Sequence, residues 1–259
     1  MSNYFKSEIY RLIHNKWTYL FMGICSLLLL ASNIVLAAVK YTDSSFTYAT
    51  TDFSFSNAYT SMQMVFLLCI TVSFIVFDNE YKNSTMKNSI TYGIQRGTIY
   101  FGKLFIQILY AIAAFAIIIG IHILSAYLML ENSGLNELET YIRSCLACLP
   151  FFIFGLAAAN AFAFVIEGTG GAVAASSGVM VAFPLICTLL GMRFWIFQKL
   201  GELLPWNMIG SAKYDAVKKV LLMYWDTDSG FLNCWVSGII QAVLIVGIGY
   251  VLFSRKEIK

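Results

Sequence analysis

Charge is scarce in this chain. Only 12% of its 259 residues are Asp, Glu, Lys or Arg, 59% are hydrophobic, and the mean hydropathy is +0.74. A soluble domain carries about a quarter charged residues, so a water-soluble globular fold is excluded and a polytopic membrane protein is expected. Histidine is limited to His14 and His122, too few for a His-based metal site or a haem pair. A phosphate loop is missing too. The one glycine-rich piece, EGTGGAVAASSG from Glu167 to Gly178, has no Gly-Lys-Ser/Thr ending, so neither the backbone cradle nor the phosphate-pairing lysine is present and no nucleotide site is expected. It reads as a tight inner turn leading into a helix with small faces, Gly171 with Ala175 and Ala174 with Gly178 at the spacing that lets helices approach in lipid. Asp and Glu are absent from every long apolar run. A secondary transporter driven by an ion gradient, the alternative function, needs intramembrane acids or a charged relay together with half-to-half repeats. The six cysteines all fall in or at the ends of apolar runs; Cys145 and Cys148 form a CxxC with no second pair or flanking His, and buried unpaired thiols are expected.

What is present is apolar length. Six runs of about 20 residues match a bilayer core of roughly 30 Å at 1.5 Å per residue: Trp17 to Val39, Tyr59 to Phe77, Leu104 to Leu130, Ser144 to Ile166, Gly171 to Met192 and Phe231 to Phe253. The fold class is therefore all-α, a single transmembrane domain over residues 1–259 with six transmembrane helices. The first run follows a polar segment and is longer than a signal-peptide core, so it is expected to remain as a helix. Lys and Arg set the orientation. With both termini in the cytoplasm, Lys6, Arg11, Lys16, Lys82, Lys87, Arg96, Lys103, Arg255, Lys256 and Lys259 lie inside, and the short outer loops keep only Lys40 and Arg143 at their edges. The long loop from Arg193 to Gly230 carries further basic residues, mixed with Glu202, Asp215, Asp226 and Asp228. Its Trp195, Trp206 and Trp225 suit an outer interface, and Tyr41 to Asn57, rich in Ser, Thr, Tyr and Phe, is expected outside the membrane as well.

Polarity is concentrated between the second and third runs, in FDNEYKNSTMKNSITYGIQRGTIYFGKLF from Phe77 to Phe105. A helix is expected from Ser84 or Thr85, either of which can cap free amides, to a stop at Gly93, which tolerates the left-handed conformation. Met86, Ile90 and Ile94 recur every four residues and give it one apolar face. The N-terminal segment is a second amphipathic piece, with Phe5, Ile9, Leu12 and Ile13 as its stripe and Lys6, Ser7, Arg11 and His14 off it. Either piece could simply lie among anionic headgroups, with membrane lipid as its partner.

Glu80, then Asn83-Ser84-Thr85, then Gly93, Arg96 and Lys103 resemble the E-x(3)-G-T, G-x-S-R, K pattern between the second and third helices of membrane subunits of type-2 ATP-binding-cassette exporters, with Ser84 and Gln95 where that pattern has Gly and Ser. The resemblance extends to the N-terminal amphipathic segment and the Phe253-Ser254-Arg255-Lys256-Glu257-Ile258 ending. It implies a permease subunit in a bacterial plasma membrane, an N-terminal in-plane elbow helix, and a cytoplasmic coupling helix from Ser84 to Tyr92. The implied ATPase-coupling residues are Glu80, Ser84, Thr85, Lys87, Asn88, Gly93, Arg96 and Lys103, with Glu80 and Arg96 pairing with the ATPase or with each other. The implied partners are a soluble ABC ATPase in two copies and a second permease chain, identical or similar; no nucleic acid is expected. No cofactor is expected on this chain, ATP and Mg²⁺ being held by the ATPase. Small permeases of this kind resemble those exporting or expelling peptides, including bacteriocin-immunity and bacitracin-resistance systems; lipid-linked cargo, drugs and sodium ions fit the same fold. Within the membrane, His122, Asn160, Gln107 and Gln241 are candidates for a substrate path, or else bond between helices.

Overall fold

The structure, a computed structural model, describes residues 2–83, 85–215 and 220–256, with side chains described apart from those at 2–3, 78–87 and 213–221. Helices follow in the order α1 (Ser2–Ile13), α2 (Lys16–Thr42), α3 (Thr51–Thr60), α4 (Val65–Asn83), α5 (Thr85–Thr91), α6 (Arg96–Met129), α7 (Asn136–Val165), α8 (Thr169–Ser177), α9 (Phe183–Gly191), α10 (Trp195–Leu203), α11 (Pro205–Gly210) and α12 (Asp228–Arg255). A two-stranded antiparallel ribbon, β1 (Ala212–Asp215) with β2 (Val220–Met223), precedes α12. Helices dominate because a lipid-embedded segment has to satisfy its backbone polar groups internally.

Among the described residues, α2, α6, α7, the α8–α9 unit and α12 are long and apolar enough to cross a membrane, and α3 with the first part of α4, a pair bent by 49°, brings the count to six where the pair is taken as one span. The chain is an all-α, multi-pass membrane protein. Two spans are irregular for identifiable reasons. The α8–α9 unit contains a π-helical turn at Gly178–Ala182 just before Pro184, where a proline ring would clash with the carbonyl four residues back in a regular helix. The second span begins earlier than the apolar run predicts. Residues 51–57, the end of the stretch read as lying outside the membrane, join the start of the second run in α3, whose beginning Thr50 caps by accepting from the Phe53 amide. The break falls at Ser61 and the 3₁₀ turn Met62–Met64.

Packing centres on α7, which contacts α12, α4, α3, α6 and α8. It can do so because its middle is small. Gly155 leaves room for Phe66 and Cys69, and Ala157, Ala158, Ala159, Ala161 and Ala163 are all buried. Helices α7 and α12 run parallel in register: a Cβ at Gly238 would stand 2.6 Å from Pro150, and one at Gly249 would stand 2.5 Å from Ala161 Cβ. These glycines, and not those of the fifth span, make the close approach within the chain. A Cβ at Gly171 would meet only Ile166, and one at Gly178 nothing within 4 Å.

The outer loop holds a second correction. Of the three tryptophans expected at an interface, Trp195 is exposed, but Trp206 and Trp225 are buried, packed on Phe66 and Tyr59 with ring centroids 6.1 Å and 5.6 Å apart. All six cysteines are free thiols.

Candidate functional site

Helix α5 lies between the end of α4 and the start of α6, and its geometry begins with its stop. The Ile94 amide bonds to the Ser89 carbonyl at 3.1 Å and the Gly93 amide to that of Ile90 at 2.9 Å; Gly93 has φ of 84°. That is a Schellman ending, which needs a left-handed residue where the chain reverses. The reversal presses Ile90 and Ile94 onto a cluster of Phe77, Ile99, Tyr100, Phe164 and Phe253. Phe164 is its centre, with Phe253 at 4.4 Å, Phe77 at 4.9 Å and Tyr100 at 5.2 Å between ring centroids. Its members come from α4, α6, α7 and α12. Helix α5 therefore rests, through Ile90, on an aromatic cluster to which four spans contribute.

The residues assigned from sequence to ATPase coupling divide into three groups. Glu80, Ser84, Thr85 and Lys87 have side chains outside the described residues. Asn88 is exposed on α5. Arg96 and Lys103 turn into the protein. Arg96 Nη1 donates to the carbonyls of Phe253, Ser254 and Lys256 at 3.1, 2.7 and 2.8 Å, and its guanidinium lies 5.9 Å from the Phe253 ring. It caps the C-terminal end of α12, where unsatisfied carbonyls and the helix dipole favour a cation. Lys103 is 1% exposed and its ammonium meets Glu8 of α1 at 2.5 Å. The contacts described for both lie within the chain.

Glu8 is the residue sequence reasoning missed. Its second oxygen accepts from Arg11 at 3.0 Å, and α1 packs on the protein with Glu8 buried and Phe5 and Leu12 half-buried, while Ile9 and Ile13 are exposed. A signal was available: Glu8 is the sole acid before Asp43. A lone carboxylate in a basic segment of a membrane protein calls for a buried cation.

The four candidates for a substrate path do not come together. Gln107 and Asn160 are buried and bonded at 3.1 Å, with Ser73 on Gln107 at 3.4 Å. His122 lies in a separate group: its Nε2 is 3.0 Å from Ser54 Oγ and its Nδ1 3.3 Å from Tyr141 OH, while Asn33 joins Ser54 and Ser125. This group ties α3 to α2, α6 and α7. Gln241 is elsewhere again, bonding the Leu203 carbonyl at 2.9 Å and Ser237. Each set joins helices that would otherwise hold by shape alone, the bonding role that polar residues take in lipid.

Comparison with known families bears on this arrangement. A sequence model described as ABC-2 family transporter protein matches residues 4–170, more than half of the chain and all of the segment from α1 through α7. The chain belongs to the ABC-2 transporter family. No curated protein matches it significantly. As an ABC-2 permease it is the transmembrane component of an ABC exporter and not itself the catalyst, and members of the family associate with an ABC ATPase and dimerise. The polar segment whose residue types carried the resemblance, with α1 and the α7 hub, lies inside the matched region; α9 to α12 lie beyond it.

Proposed function

We propose that this ABC-2 permease exports, or expels from the bilayer, a peptide or other amphipathic substrate in a bacterial plasma membrane, with α5 as its coupling helix and both termini in the cytoplasm. The carrying observation is the seat of α5 on the aromatic cluster, because a helix docked to a partner can move a permease only if it is packed against the spans that must move. Two copies of a soluble ATPase hold ATP and Mg²⁺, each docking one α5, and a second permease chain, identical or similar, completes the pair. Closure of the ATPase dimer displaces α5, and α5 carries the inner ends of α4, α6, α7 and α12 with it. Peptide is the preferred cargo on the strength of the resemblance to small peptide-expelling permeases.

Co-purification tests this reading. The tagged chain, expressed with the ABC ATPase from its own genome, should retain that ATPase, and Asn88→Trp on the exposed face of α5 should release it while the chain still inserts. Proton flux through the chain alone, with no ATPase retained, would establish a secondary transporter instead.

A further inference from the structure

His122 is 1% exposed, and the hydrogens of the group around it can be assigned one by one. The Asn33 amide faces the His122 carbonyl at 3.4 Å and Ser125 Oγ at 2.8 Å, while Ser125 gives its own hydrogen to that carbonyl at 2.9 Å. A carbonyl only accepts, so the side of Asn33 turned toward it is the NH₂ group, and Oδ1 points to Ser54 at 2.7 Å. Ser54 has one hydrogen, and Oδ1 takes it. The contact of Ser54 Oγ with His122 Nε2 at 3.0 Å therefore draws its hydrogen from the imidazole. Nδ1 is then the bare nitrogen and accepts from Tyr141 OH at 3.3 Å. The donors run from Tyr141 through His122, Ser54, Asn33 and Ser125 back to the His122 backbone, a circuit that closes only on a neutral imidazole with its hydrogen on Nε2.

Helix α3, the short leg of the bent pair, is tied to α2 and α6 through Ser54, and Phe55 beside it stacks on Tyr141 at 5.5 Å and meets the imidazole edge-on at 5.9 Å. A second proton on His122 has one place to go, Nδ1. There it displaces the Tyr141 hydrogen, which loses its acceptor in a buried site, and it adds a charge that none of the described residues in contact balances. Other titratable groups stand further off. On α7, Cys145 lies beside Tyr141, and on α6, Tyr127 meets Phe55. Asp52 and Glu137, near the starts of α3 and α7, interact with each other and with Asp226. On α2, Lys40 is about two turns from Asn33 and paired with Glu131. We infer that His122 makes the docking of α3 pH-responsive: the neutral imidazole closes the circuit and holds α3 against α2, α6 and α7, and acid opens it by protonating Nδ1, freeing α3 to swing from the break at Ser61. The sign follows from proton count, since the docked form holds one imidazole hydrogen and the released form takes a second, so that falling pH favours release. Nothing in this depends on the role of α5.

Two measurements on the full chain in lipid nanodiscs test this, each titrated from about pH 8 to about pH 4, across and below the ordinary histidine range. The first is the nitrogen NMR signature of the imidazole, in a His14→Gln chain where His122 is the remaining histidine. At the alkaline end it should show the hydrogen on Nε2. The second is the distance between spin labels at the exposed Asn57 on α3 and Leu128 on α6, on a background lacking the native cysteines. It should change on acidification with the same midpoint as imidazole protonation. His122→Gln can donate to Ser54 and accept from Tyr141 but does not titrate, and should hold the docked distance throughout. Asp52→Asn with Glu137→Gln should leave the midpoint where it is. The inference is overturned by a hydrogen on Nδ1 at the alkaline end, by imidazole protonation without a distance change, or by a distance that never changes down to the acid end. A distance change that persists in His122→Gln, or vanishes with the two acids, overturns it too and makes the acids the sensor. The coincidence of midpoints decides the matter even where His122→Gln gives no folded chain.

Discussion

Replacing Arg96 separates the two roles open to this residue. If it clamps α12, Arg96→Ala strips a charged donor from three carbonyls at 2.7 to 3.1 Å. One nitrogen carries two protons, so the three contacts are worth about two hydrogen bonds, each about 1.5 to 3 kcal/mol for a charged donor. The contact with the Phe253 ring adds about 0.5 kcal/mol at its distance. Half-exposure of Arg96 allows water to replace part of this, which brings the loss to about 2 to 4 kcal/mol, or roughly 30- to 1,000-fold in the local opening constant of the last turn of α12. Arg96→Lys keeps the charge on a point donor without the planar fork and should fall in between. Hydrogen exchange of the amides at 252–256 in detergent reads this directly. Protection there should fall in the order wild type, Lys, Ala, with no change in Asn88→Ala, a variant on the exposed part of α5. The reasoning is refuted if Arg96→Ala leaves exchange at 252–256 unaltered while releasing the ATPase, since that outcome makes Arg96 a docking residue after all.

Three further outcomes are expected. Gly93→Ala forces a side chain into a φ of 84° and should cost about 1 kcal/mol, read as faster exchange at 89–94 with little change elsewhere. Asn33→Leu unties Ser54 from Ser125 and should lower stability by about 0.6 to 1.7 kcal/mol in a detergent unfolding titration, the range for hydrogen bonds between membrane helices; a loss above 4 kcal/mol would mean that α3 unfolds as a unit. Single thiols introduced at Asn88 and Ser45 should react with impermeant reagents from the cytoplasmic and outer sides respectively, and the reverse pattern would overturn the proposed orientation.

Helix content was legible in the sequence because length and hydropathy fix it, and four of the six apolar runs became single helices, while the second and fifth are broken by a 3₁₀ and a π turn. The stop of α5 was legible as well, since Gly93 followed by Ile94 is a local signal that needs no tertiary partner. Residues 51–57 were not. They lack an apolar stripe, and their helix is held by Thr50 at its start and by Ser54 reaching His122 and Asn33 on other spans. Glu8 escaped for a similar reason. Its buried cation, Lys103, is 95 positions away, and periodicity reads only what lies within a few turns. The tryptophans erred in the opposite direction. Trp206 and Trp225 have the residue type of an interfacial anchor, but Phe66 and Tyr59 cover them, and cover is a property of the fold.

The polar contacts near α5 differ from those between the middles of the spans. Asn33, Ser54, His122 and Tyr141, like Gln107 and Asn160, are neutral groups linking spans at a modest cost if broken, on the order of 1 kcal/mol. Around α5 the contacts are charged and directional instead: Glu8 to Lys103 on one flank, and Arg96 to the end of α12 on the other. Between them α5 sits on rings, where contact is apolar and tolerant of tilt. A lever needs both kinds of contact, since a contact that slips loses displacement and a seat that cannot tilt blocks it. Partly emptying the seat tests its role directly. Ile90→Ala removes about three buried methylene-sized groups from the cluster, for about 2 kcal/mol. It should loosen α5 against all four spans equally, reducing the shift of a spin label at Asn88, measured against one at the exposed Leu135, when the complex with its ATPase is trapped with Mg-ATP and orthovanadate, while leaving exchange at 252–256 protected by Arg96. Loss of protection at 252–256 in Ile90→Ala would mean that seat and clamp are one cooperative unit, and the division of labour drawn between them would be wrong.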